Sequence, residues 1–156
     1  MAIAITLRDY LSDHGVEFDV VRHHRTDCSA ETAQMTHVSG KRLAKAVVLE
    51  DDDGYLMAVI PANRRVHIGR LHRELHRDLG LATEDELGQL FDDCEAGAVP
   101  PLGHAYGIET LIDQRLLDGD DVYFEAGDHR ALIHLTGEQF KDLVAGAQAG
   151  ELSVPR

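Results

Sequence analysis

Lys45 stands inside LAKAVVL (residues 43–49), a run whose other side chains are all apolar. An ammonium cannot be buried without a partner, so this lysine either lies on the strand face opposite its apolar neighbours or reaches into a pocket. The chain carries twelve arginines and only three lysines, Lys41, Lys45 and Lys141. A lysine at a half-buried place therefore suggests a site that wants a compact point charge and not a planar fork. The alternative is a lysine that snorkels to solvent. A second candidate is the uncharged stretch GAVPPLG (97–103), in which Gly97 and Pro101 frame Ala98, Val99 and Pro100. Glycine exposes backbone N–H groups, and two prolines fix φ and disfavour helix before them. Such a loop is rigid before any ligand arrives, and Ala98 and Val99 would wall a small apolar pocket. The alternative is a plain turn between a helix and a strand. His129, in the hairpin tip GDHR, is the third candidate, expected to be exposed and aimed by its turn.

Other chemistry-bearing residues carry less. His72 and His76 are spaced i, i+4 and could bind zinc. The string is H-x-E-x-H and not HExxH, so Glu74 falls on another face, and a solvated polar face is the reading taken. His23 and His24 lie in a loop. Cys28 and Cys94 form no CxxC pair, and no base is visible for either. The chain has no GxSxG, no P-loop and no GxGxxG. No metal and no cofactor are expected.

The elements that must hold these residues can be read from period and punctuation. Thr6 is expected to cap a helix to about His14, ended by Gly15. VEFDVV (16–21) alternates as a strand. Ser29 is expected to cap a short helix to about Val38. Residues 43–50 and 55–61 form a hairpin around DDDG. Leu71, Leu75 and Leu79 give a helix over 70–80 stopped by Gly80. Thr83 with Glu86, and Thr136 with Gln139, are capping boxes that open further helices. Residues 108–113 read as a strand, and 121–127 with 131–135 as a second hairpin. The tail from 146 to 156 is expected to fray. Strands and helices mix without a βαβ rhythm, so the class is α+β.

Length and charge set limits. The 156 residues fit a single domain over 1–156. No apolar run is long enough to span a bilayer, and the start of the chain lacks the pattern of a signal peptide, so a cytoplasmic location is expected. The net charge of −13, from 28 acidic residues, argues against gripping long stretches of nucleic acid, DNA included. It leaves room for a pocket that holds one end of a nucleic acid. It also suits a salt-adapted source. The arginines between Arg64 and Arg77 could form a local basic face or an ordinary solvated one.

Taken in order, AKAVVL with its lysine, GAVPPLG, and GDHRALIHLTGEQF resemble the YbaK-like domains. These include the editing domain inserted in bacterial prolyl-tRNA synthetases and its free-standing relatives. The resemblance covers about residues 5–145. It implies a curved, barrel-like mixed sheet with flanking helices, and hydrolysis of tRNA carrying the wrong amino acid. Lys45 matches the family's functional lysine, Gly97 and Pro101 its GxxxP loop, and His129 the histidine of its late hairpin. The implied reaction is trans-editing of a small amino acid on tRNA-Pro, with the acceptor end of aminoacyl-tRNA as partner and an aminoacyl-tRNA synthetase as a second. A non-catalytic tRNA- or nucleotide-binding module of the same fold is the rival reading.

Overall fold

The computed structural model describes residues 3–24, 32–33, 38–95 and 97–156. In chain order the elements are α1 (Ile5–Asp13), β1 (Asp19–Arg22), β2 (Leu43–Asp51), β3 (Gly54–Pro61), β4 (Arg64–Val66), α2 (Ile68–Leu75), β5 (Gly80–Leu81) and α3 (Glu84–Leu90). A 3₁₀ turn (Gly103–Tyr106) precedes β6 (Glu109–Asp113), α4 (Gln114–Leu117), β7 (Asp121–Glu125), β8 (Ala131–Thr136), α5 (Gly137–Leu143), β9 (Gln148–Gly150) and β10 (Ser153–Pro155). The helix expected from Ser29 to about Val38 lies outside the described residues, apart from Thr32, Ala33 and Val38.

Strands β1-β8-β7-β2-β3-β6-β9 form one mixed sheet, with β5 also on β2, and β10 pairs β4 in a small second sheet. The class is α+β, as read from sequence. The sheet is open: β1 and β9 end the path and do not pair, so the barrel-like closure is corrected. The β2–β3 hairpin turns at Asp51↔Gly54. β3 is buried on both faces, which explains its unbroken apolar run. Met57 and Val59 face one core, with Leu7, Leu11, Phe124, Ile133 and Phe140. Leu56, Ala58 and Ile60 face the other, with Leu49, Leu71 and Leu111. Alternation along β2 sends Ala44 and Val48 to the first core and Leu43 and Leu49 to the opposite face. Lys45 lies on that opposite face.

Both capping boxes form as expected. Three expectations fail for physical reasons. Thr6 is not the cap of α1: the helix starts at Ile5, and the Thr6 N–H donates to Asp93 Oδ2 at 2.8 Å. The side chain that serves this helix start comes from a distant loop. The helix expected over 70–80 ends at Leu75, because His76 adopts a left-handed φ of 54°. Leu79 is still buried, but from the connection to β5. The tail does not fray. β9 pairs β6 in parallel, and β10 pairs β4. Asp113, fully buried, accepts from Ser153 Oγ at 2.6 Å and from the Leu152 N–H at 3.4 Å.

Candidate active site

β2 and β7 run in parallel, but they pair only at Leu43↔Tyr123 and Ala44↔Phe124. Further along, β2 takes β5 as its neighbour at Leu49 and Glu50. Among the described residues no strand pairs this edge of β2 between the two ladders, and Lys45 is the first residue of that stretch. The next residue of β7 is Glu125, so Lys45 and Glu125 both stand one step beyond the last β2–β7 pair. Lys45 is half-buried, as a lysine on a strand among apolar neighbours must be.

The β7–β8 hairpin tip closes over this end. Gly127 has φ 117°, and a Cβ there would come within 2.9 Å of Ala4 Cβ, so only glycine fits. The Ala4 N–H donates to the Ala126 carbonyl at 2.8 Å. His129 is part of the tip but not exposed: it is 2% accessible, in a left-handed conformation with φ 59°. Its exposure is therefore corrected. The turn folds the ring inward, out of solvent.

The GAVPPLG loop is tied to the same tip. The Glu95 N–H donates to the Gly127 carbonyl at 2.7 Å. Gly97 is exposed and has φ 79°, a conformation open to glycine and strained for other residues. Ala98, Pro100, Pro101 and Leu102 are buried, and Val99 is half-buried against the first core. The loop thus presents the Gly97 backbone and part of Val99, while its other side chains anchor it. Asp93 fixes its entry. Besides accepting from Thr6, it accepts from Tyr106 Oη at 2.9 Å and Cys94 Sγ at 3.4 Å. Tyr106 packs edge-on against Phe91. Burial and the neighbouring Asp93 push the Cys94 thiol up to about 12, so it carries no thiolate for nucleophilic attack. Cys28 lies outside the described residues.

Glu125 was passed over in sequence, and His23 was noted only as a loop histidine with no role assigned. Glu125 sits on β7 beside the tip, 3% accessible, and accepts from Thr32 Oγ1 at 2.8 Å. His23 follows β1, and its N–H donates to the Arg130 carbonyl at 2.9 Å. His23 Nε2 and Glu125 Oε2 stand 4.0 Å apart, with both side chains 3% accessible. Burial raises the proton affinity of Glu125. The Thr32 hydroxyl, which donates to the carboxylate, opposes that rise. Nothing in the spacing of residues 23 and 125 points to their meeting.

The zinc alternative fails on geometry, because His76 ends α2 and no longer shares a helical face with His72. The arginine stretch is largely spoken for. Arg64 binds the Ser153 hydroxyl and carbonyl, Arg70 pairs with Glu151, and Arg77 makes a two-pronged pair with Asp51. No helix among the described residues is long and apolar enough to cross a membrane.

A family model described as an aminoacyl-tRNA editing domain matches residues 23–143. Among solved structures, one described as "a putative trans-editing enzyme for prolyl tRNA synthetase" is 26% identical. It superposes with a TM-score of 0.82, over 97% of this chain and 96% of that one. A structure from work on computational grafting of epitope backbones onto scaffold proteins is 25% identical, with a TM-score of 0.82 over 98% and 97%. The hypothetical protein APE2540, 24% identical with a TM-score of 0.83 over 96% and 99%, shares the fold. No match is found among curated proteins.

Proposed function

The chain belongs to the aminoacyl-tRNA editing domain family, and from that premise we propose that it is a deacylase acting in trans in the cytoplasm. Its substrate would be a small amino acid wrongly esterified to tRNA, with tRNA-Pro the first to test. The observation that supports this reading is the end of the β2–β7 ladder, which leaves Lys45 level with Glu125, while the Glu95 N–H ahead of the Gly97 loop donates to the hairpin tip at Gly127.

The chemistry needs little machinery. The bond is an activated ester, and the attacking oxygen can be a water or the free hydroxyl of the terminal ribose. Lys45 supplies a point charge for the phosphate or ribose of the terminal nucleotide. The exposed backbone at Gly97 can face the developing oxyanion. The left-handed φ and the buried prolines hold it in place before substrate arrives. No protein nucleophile is required, in keeping with the protonated, hydrogen-bonded state of Cys94. Selection by size would fall to Val99 and the backbone beside Ala98, Pro100 and Pro101, acting as a second sieve. With a net charge of −13 and Arg64, Arg70 and Arg77 engaged within the fold, contact with tRNA would centre on the acceptor end. A synthetase partner could supply the rest of the grip.

Deacylation of a panel of mischarged tRNAs tests the reading. We expect turnover of one small aminoacyl ester, and a loss on the order of 100-fold in Lys45→Ala with its fold intact. No turnover above the spontaneous rate on any tRNA would overturn the enzyme in favour of a tRNA- or nucleotide-binding module. Wild-type rates in Lys45→Ala would overturn the role of that lysine.

A further inference from the structure

We propose that Glu125 Oε2 and His23 Nε2 form a two-acceptor cradle for the primary ammonium of the aminoacyl group, so that the site requires a free α-amine. This rests on the editing function proposed above and names what that site recognises.

The tautomer of His23 comes first. Its Nδ1 lies 2.7 Å from the His24 carbonyl. A carbonyl only accepts, so Nδ1 carries the hydrogen, and whenever the ring is neutral Nε2 presents a lone pair. Glu125 Oε1 is occupied by the Thr32 hydroxyl, which leaves Oε2 to face the ring. Neither Oε2 nor Nε2 has a hydrogen-bond partner among the described residues. At 4.0 Å they do not bond each other, and two acceptors could not. Buried polar atoms are rarely left this way, and two facing each other point to an occupant that donates to both.

The geometry restricts that occupant. A donor atom about 2.8 Å from each acceptor would see them about 90° apart, near the angle between two N–H bonds of an ammonium. A phosphate oxygen offers no donor, and a ribose hydroxyl offers one. A positive charge also suits the place. Burial disfavours the Glu125 carboxylate, and an ammonium beside it would offset that. Position agrees as well. Glu125 stands one step past the last β2–β7 pair, level with Lys45, and just before the tip that holds the Gly97 loop.

The probes are two stable amide-linked adenosines, one carrying a 3′-alanylamino group and the other a 3′-propionylamino group, which differ only in the amine. Each is titrated calorimetrically into the full chain, beside deacylation of the cognate alanyl ester. We expect the alanyl compound to bind at least tenfold tighter to wild type, and this preference to fall below threefold in Glu125→Gln. Equal binding of the two compounds to wild type overturns the cradle, as it would if a water were the occupant. A preference that survives in Glu125→Gln also overturns it. The wild-type comparison decides the matter even if the variant does not fold. Deacylation without an amine preference removes the cradle and leaves the function. An amine preference without deacylation supports the cradle and removes the enzyme. Absence of both removes both.

Discussion

Two carboxylates are buried near opposite ends of the sheet path, and they are treated differently. Asp113, at the end of β6, has both oxygens filled. Oδ2 accepts from Ser153 Oγ and the Leu152 N–H, and Oδ1 accepts from the Arg115 N–H and guanidinium. Glu125, at the end of β7, has one oxygen on Thr32 and the other facing His23 Nε2 across 4.0 Å without a hydrogen bond. The first is a latch that holds the C-terminal strands, and a latch is stable because every lone pair is answered. The second is left incomplete by the protein itself. A buried acid that folding does not satisfy marks the place where something else is meant to bind.

Matched neutral replacements separate the two most sharply. Asp113→Asn should cost about 2–3 kcal/mol in chemical denaturation, because the charged acceptor of several buried donors is lost. An equal cost for Glu125→Gln would erase the contrast. Next in size is Gly97→Ala, expected to lose about 1–2 kcal/mol from the left-handed backbone and to slow deacylation as well. Unchanged kinetics at the reduced stability would make the loop a plain turn and weaken the functional side of the comparison. Glu125→Gln should change stability by less than about 1 kcal/mol, since it removes an acid that folding did not satisfy. Its effect should appear instead in ligand binding.

The smallest effect concerns the edge strand that brings His23 to Glu125. His134 on β8 bonds Asp121 at 2.6 Å and Asp19 of β1 at 3.2 Å, and stacks on Tyr123. Burial of the ring works against its protonation, but the two carboxylates outweigh it and raise the pKa. A raised folded pKa means that the contribution is complete below the unfolded value, about 6.5, and is lost as pH climbs through the folded one. Amide exchange of Val20 and Val21, corrected for its intrinsic pH dependence, should therefore show β1 looser at pH 8 than at pH 6. The change should be a few tenths of a kcal/mol, as for a largely exposed pair. His134→Gln should flatten it, and an unchanged slope there would separate β1 from this histidine.

What the sequence made legible was local. The hairpin around DDDG, the second hairpin, and both capping boxes are contained within a few residues, and all formed. Lys45 and Gly97 could be singled out because each is odd against its own neighbours. Most of the misses depend on partners far along the chain. Asp93 serves a helix start 87 residues away. The tail becomes strand through Asp113, about 40 residues upstream. His129 turns inward because of a left-handed residue inside a tip that looks exposed. The Glu125–His23 pairing joins segments with no shared period or spacing.

The pairing of β1 with β8 has a kinetic side. Asp19 and His134 meet across 115 residues, and Val20 and Val21 join Ile133 and Leu132 in the same ladder. Closing so large a loop is entropically costly, and contacts of this range form slowly. His23 arrives with that strand. A folding chain can therefore hold a finished β2–β3 hairpin and core while the facing acceptors are still apart, so competence to recognise a ligand should be among the last properties to appear during refolding.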